Sequence, residues 1–189
     1  MTKVAIIDYG RGNLRSVANA IEYIGVDAKV TNDMKVIDDA THIILPGVGS
    51  FGDAISALEK RGLIDTLNQQ VIIKGKPFLG ICVGMQVLAR TGWEHGVHSG
   101  LGWLNAEVSP LRAVVPKQKI PHMGWNTVEL KRSHPVFSNF IKDDLTFYFV
   151  HSFAITSLGL SEVLGTSNYG LDFVSVIAWD NIVATQFHP

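Results

Sequence analysis

Cysteine is nearly absent: Cys82 stands alone among 189 residues. An internal disulfide is therefore excluded, and a reducing, cytoplasmic setting is expected. Charge is also scarce, at 17% of residues, with 16 basic side chains against 17 acidic ones and a net charge of −1. No cluster of Lys and Arg stands out, which argues against an electrostatic footprint for nucleic acid. Long apolar runs are missing too. No stretch reaches the roughly 18 residues of a membrane span, and the opening MTKVAIIDYG has no signal-peptide core. No repeat or low-complexity linker divides the chain, so a single domain over 1–189 is expected. What is plentiful is hydrophobic residue, at 47%, ample for one well-buried core.

The N-terminal half alternates strand-like and helix-like runs. KVAIID (3–8) reads as a strand, and LRSVANAIEYIG carries Leu14, Val17, Ala18, Ile21 and Ile24 at helical spacing up to Gly25. DAKVT (27–31) and HIILPG (42–47) read as strands, with Pro46 and Gly47 stopping the second. Residues 53–73 read as one or two helices broken at Gly62, and PFLGIC (77–82) as a further strand. The second half turns β-rich: WLNAEVSPL, NTVEL, TFYFVHSFAI, FVSVIAWD and IVATQFHP, the last two joined through Asp180 and Asn181 as a hairpin. The expected class is α/β: an open, doubly wound, mostly parallel sheet flanked by helices, with added antiparallel strands in the C-terminal half. Loop 92–102, rich in Gly and His, and stretch 110–121, rich in Pro and Lys, are the expected loose regions.

Chemistry concentrates at FLGICVGMQ (78–86). Gly80 and Gly84 flank Cys82 two residues on either side, between an apolar strand and the helix-like run MQVLAR. This is a G-x-C-x-G form of the nucleophile elbow, a strained strand-to-helix turn that tolerates only small residues at those positions. Such a turn lifts the sulfur above the carboxyl edge of the sheet, where open α/β sheets bind ligands. A helix beginning there favours thiolate. The alternative is a small core residue, which free cysteine often is.

A thiolate nucleophile needs a histidine as proton shuttle. His42 opens a strand and so lies at the wrong edge, and His95, His98, His122 and His134 fall in loops. His151 and His188 both follow strand-like runs, and the residues alone favour neither. An oxyanion hole needs backbone N–H groups, for which PGVGSFGDA (46–54) and the amide of Val83 are the candidates.

LPGVGSFGDA, GICVGMQVL, PHMGWN, YFVHSF and ATQFHP occur in this order and together resemble the class I, triad-type glutamine amidotransferases. The resemblance covers essentially the whole chain. DYGRGNLRSV and PHMGWN draw it nearest to the branch that serves imidazole glycerol phosphate synthases. It implies hydrolysis of L-glutamine to glutamate and ammonia without a cofactor. It casts Cys82 as nucleophile through a γ-glutamyl thioester and His188 as its base. Gly49, Val83 and Gly47 match the oxyanion segment, Gln86 a substrate contact, and Ser152 and Phe153 the segment holding the α-amino and α-carboxylate ends. His151 becomes a structural residue beside the pocket. The implied partner is a (β/α)8-barrel cyclase subunit of a heterodimer in histidine biosynthesis, contacted through Asn13, Arg15, Pro121, Met123, Trp125, Asn126 and Tyr148. In the family a glutamate two residues past the histidine orients it. The sequence here ends at Pro189, and Asp180, in a turn at the far end of the last strand, is a poor substitute, so the resemblance leaves the orienting acid open.

Two other patterns are weaker. YGRGNLR (9–15) has Arg15 where a dinucleotide fingerprint needs its third glycine, and it reads equally as a tight turn with Asn13 capping a helix. EHGVH (94–98) offers His-x-x-His with nothing to complete a metal site. Three rival functions stay open: a glutaminase for another synthase, such as one amidating a sugar precursor; a cysteine hydrolase acting on another amide; and a silent partner-binding subunit.

Overall fold

A computed structural model describes residues 2–111, 118–140 and 145–189. The first half runs β1 (Lys3–Ile7), α1 (Leu14–Tyr23), β2 (Asp27–Thr31), α2 (Met34–Asp39), β3 (His42–Gly47), α3 (Phe51–Lys60), α4 (Leu63–Leu67), a π-helical turn (Asn68–Ile73) and β4 (Phe78–Cys82). Then follow α5 (Val83–Gln86), β5 (Ala89–Gly92), β6 (His98–Ser99), β7 (Leu104–Pro110), β8 (His122–Thr127) and β9 (Glu129–Leu130). After a 3-10 turn (Pro135–Phe137) come β10 (Thr146–His151), β11 (Phe153–Ile155), β12 (Val163–Asn168), β13 (Asp172–Trp179) and β14 (Ile182–Thr185).

The central sheet has eight strands in the order β2-β1-β3-β4-β14-β13-β12-β9. Its first five strands are parallel, and the last three pair antiparallel. This is the expected α/β class, with the antiparallel addition in the C-terminal half. The inner strands β1 (KVAII) and β3 (HIILPG) are buried almost throughout, as strands covered on both faces must be. The edge strand β2 (DAKVT) carries Asp27 and Lys29 at exposed positions, which discourages further pairing. A smaller four-stranded sheet, β11-β7-β5-β6, and a two-stranded ribbon, β8-β10, complete the described part.

Helix starts follow local chemistry. Asn13 Oδ1 accepts from Ser16 N at 3.4 Å to cap α1, and Ser50 Oγ accepts from Asp53 N at 3.3 Å to cap α3. The apolar stripe of α1 packs inward at Leu14, Val17, Ala18 and Ile21. The six-residue α2, capped by Asp33, is too short to show a period and was not anticipated.

Several expectations need correction. The helix foreseen from residue 53 starts at Phe51, and its far end is a π-helical turn. β3 keeps the expected bounds, with Pro46 and Gly47 as its last two residues. NTVEL divides between β8 and β9, and TFYFVHSFAI divides at Ser152. The helix after Cys82 is a single turn, because Ala89–Gly92 leaves it to pair with β7 and β6. Loop 92–102 is not loose. A side chain at Gly92 would strike the Phe51 ring, and one at Gly100 the Ala89 carbonyl, so these glycines permit close packing. Part of stretch 110–121, residues 112–117, lies outside the described residues.

Candidate active site

Three parallel strands end side by side. Gly47 pairs with Cys82 across β3 and β4, and Thr185 pairs with Ile81 across β14 and β4. The register therefore sets Gln186 next to Cys82 and carries His188 to the same edge. Cys82 itself takes φ 56°, ψ −112°, a conformation that costs a non-glycine residue about 1–3 kcal/mol. The flanking glycines make it possible. A Cβ at Gly84 would land on the Leu45 carbonyl, and one at Gly80 would come within 2.8 Å of the Gly84 carbonyl.

Cys82 and His188 line one cavity of about 270 Å³, together with Val48, Gly49, Val83, Gln86, Glu94, Pro121 and residues 150–153. That is near the lower bound of small-molecule sites, about 300 Å³, and suits a ligand of amino-acid size. The sulfur is buried, has Gln186 Nε2 at 3.7 Å, and lies beside the Val83 backbone amide, which favours its charged form. Burial pushes the thiol up to about 12, and Glu94 adds to the rise, against the pull of Val83 and Gln186. The thiolate expected from a helix N-terminus is thus not the resting state. A helix of only 4 residues has too little dipole to offset desolvation. Burial also lowers His188, so the resting pair is thiol and neutral imidazole. Among the described residues no group hydrogen-bonds the buried His188 Nε2. An unpaired ring nitrogen on a cavity wall is free to serve a ligand.

A profile of the family described as "Glutamine amidotransferase class-I" matches residues 5–189. The chain belongs to the class-I glutamine amidotransferases. Curated relatives extend over its full length. It is 50% identical to imidazole glycerol phosphate synthase subunit HisH 2 of Nitrobacter winogradskyi, over 100% of this chain and 91% of that one. It is 46% identical to subunit HisH of Geobacter sulfurreducens, with the same coverage, and 46% identical to that of Aquifex aeolicus over 99% and 88%. Among solved structures it resembles PurLQS from Thermotoga maritima, at TM-score 0.74, 20% identity and coverage of 100% and 87%. It also resembles a structure titled only as a glutamine amidotransferase, at TM-score 0.71, 20% identity and coverage of 98% and 89%. These last two likenesses concern the fold.

Within this amidotransferase fold the sequence candidates are distributed as follows. Cys82, Val83, Gly49, Gln86, Ser152, Phe153 and His188 all reach the cavity, and so does His151. Two histidines thus share the site. His151 is committed to others, with Nε2 2.9 Å from His122 Nδ1 and Nδ1 2.9 Å from the Phe153 carbonyl. Gly47 is not on the cavity wall; a side chain there would meet Tyr9 Oη at 2.6 Å and Gly84 N at 2.7 Å. Gln86 spends its amide hydrogens inside the protein, on Phe153 O at 2.9 Å and Gln186 Oε1 at 3.0 Å. Pro121 lines the cavity. Asn126 turns inward to His122 and to the Asn168 carbonyl. Met123, Trp125 and Tyr148 are exposed side by side, and Arg15 is exposed on α1.

Two residues of the site escaped sequence reading, Glu94 on the cavity wall and Gln186 buried behind it against the sulfur. Glu94 lies in a segment dismissed as a metal motif, yet its Oε2 accepts from Phe51 N at 2.7 Å, which fixes the carboxylate at the cavity. Gln186 sits inside ATQFHP, where only the histidine drew attention.

Proposed function

We propose that this chain is the glutaminase subunit of an imidazole glycerol phosphate synthase, acting in histidine biosynthesis. It hydrolyses L-glutamine and hands ammonia to a (β/α)8-barrel partner. The reading is carried by one observation: Cys82 and His188 open onto a single amino-acid-sized cavity with the Val83 amide at the sulfur. Full-length relatives named HisH support the choice of synthase.

Glutamine enters with its side-chain amide toward Cys82. Glu94 faces the α-ammonium group, the one cation the substrate carries, and the Ser152–Phe153 backbone holds the α-carboxylate end. His188 takes the thiol proton as sulfur attacks the amide carbon. The oxyanion turns to the backbone amides of Val83 and Gly49. His188 then gives its proton to the departing nitrogen, ammonia leaves, and a γ-glutamyl thioester remains. Water attacks that ester as His188 accepts its proton. Sulfur departs and is reprotonated, and glutamate is released. A thiol held near 12 makes the first proton transfer costly, so the isolated subunit turns over slowly. The partner accelerates it by reshaping the Gly47–Gly49 segment.

The partner docks where Met123, Trp125 and Tyr148 are exposed on the β8-β10 ribbon, and Asn13, Arg15, Pro121 and Asn126 are its further proposed contacts. The two subunits form a cytoplasmic heterodimer of lyase activity. The test is glutamine hydrolysis by the purified chain with and without the barrel subunit and its nucleotide substrate. Expected is strong stimulation that Cys82→Ala abolishes; equal rates with and without the barrel refute the coupling.

A further inference from the structure

Gln186 is fully buried against the sulfur, and none of the steps above uses it. Its neighbours dictate which way its amide faces. The Phe153 carbonyl can only accept, so Gln86 must turn its Nε2 toward it, at 2.9 Å. The other hydrogen of that amide goes to Gln186 Oε1 at 3.0 Å. Gln186 is then left presenting its own NH2 to Cys82 Sγ, 3.7 Å away. Flipping either amide would set two acceptors or two donors face to face.

A second arm from the same carbonyl points the same way. Phe153 O also takes a hydrogen from His151 Nδ1 at 2.9 Å. His151 Nε2 is then an acceptor, served by His122 Nδ1 at 2.9 Å, and His122 Nε2 accepts from Asn126 Nδ2 at 3.2 Å. Asn126 is pinned independently, because Nδ2 also donates to the Asn168 carbonyl at 2.9 Å and Oδ1 accepts from Thr127 N at 2.8 Å. The direction read from Asn168 and the direction read from Phe153 agree, and every donor in the chain meets an acceptor. Burial holds His151 neutral, down to about 3, as the tautomer requires.

We propose that Gln186 is a catalytic residue whose amide hydrogen stabilises negative charge on the Cys82 sulfur. It acts twice: when the thiol surrenders its proton to His188, and when sulfur leaves the thioester. The inference rests on Cys82 being the nucleophile. An amide suits the task better than a cation here. It adds stabilisation where charge develops without holding a permanent thiolate in the resting site. Residues 186 and 188 share one side of the extended chain, with Phe187 turned into the second core cluster. One strand end thus delivers both the proton acceptor and the sulfur's donor.

Since Cys82 is the sole cysteine, alkylation by iodoacetamide reports on this thiol alone. Gln186→Met removes the donor while keeping the bulk. It should shift the rate–pH curve to higher pH, slow alkylation at pH 8 roughly tenfold, and lower kcat for glutamine roughly 10- to 100-fold, with KM moving less than about threefold. Gln186→Glu keeps the acceptor for Gln86 but turns an oxygen to the sulfur, and should slow alkylation at least as much. If the methionine does not fit, this isosteric variant decides alone. A folded variant that alkylates along the wild-type pH curve rules out the donor role. Cys82→Ser tests the underlying reading separately: if it keeps turnover, the nucleophile assignment fails, whatever the Gln186 variants do.

Discussion

At residue scale the corner at Cys82 shows how sterics and acid–base chemistry divide the work. Gly84 is required by the Leu45 carbonyl, which occupies the place of any Cβ. Gly84→Ala should therefore cost about 3 kcal/mol or more, read as a lower urea midpoint, and should abolish turnover with the corner deformed. The thiol's protonation gives a second expectation. With burial holding it near 12, alkylation of the isolated chain should rise about tenfold per pH unit from 7 to 9 without levelling off. A plateau below pH 9 contradicts this. The G-x-C-x-G spacing was legible in the sequence because its steric demands are local. The choice between His151 and His188 was not, and both prove to line the cavity. Gln186 and Glu94 were invisible for the same reason: each matters through a contact with a residue far along the chain, Cys82 and Phe51 respectively.

At the scale of elements, the β8-β10 ribbon separates two surfaces by strand alternation. His122 points inward, stacked between Phe149 and Tyr169, while Met123 and Trp125 are 61% and 74% exposed. Tyr148 lies directly opposite Trp125, with ring centroids 5.8 Å apart. A packed aromatic pair of this kind makes a strong anchor at an interface core. Trp125→Ala should weaken binding of the barrel subunit by about 2 kcal/mol, roughly 30-fold in Kd, measured by titration calorimetry; an unchanged Kd moves the interface elsewhere. Strands with buried apolar runs, such as β1, β3 and β13, were readable from composition. The turn after Cys82 was not, because MQVLAR has helical propensity that the pairing of β5 with β7 and β6 overrides. The glycines at 92 and 100 misled in the other direction, serving close packing where they suggested looseness.

For the whole molecule, acid stability follows from its buried imidazoles. Burial depresses His151 to about 3 and lowers His122 and His188 as well. Below about pH 6.5 the unfolded chain takes up protons that the folded chain refuses. Stability is therefore full above that pH and falls as pH drops toward 3, by about 1.4 kcal/mol per pH unit for the His151 proton, with His122 and His188 adding to the fall in the same direction. Urea midpoints at pH 7, 6 and 5 should decline accordingly, and His151→Gln should flatten the slope by about one proton; pH-independent midpoints would contradict the assignment. The alternation of strands and helices made the parallel half readable, but the place of the last strand was not. β14 inserts between β4 and β13, and only long-range pairing determines that. Its central position carries a consequence for biosynthesis. A ribosome-bound chain can lay down β1 to β4 early, yet the gap beside β4 stays open until some hundred further residues have emerged. Until β14 takes that gap, the nascent polypeptide holds its thiol without His188 or Gln186 beside it, so the proposed mechanism has neither its proton acceptor nor its sulfur donor before that strand is made.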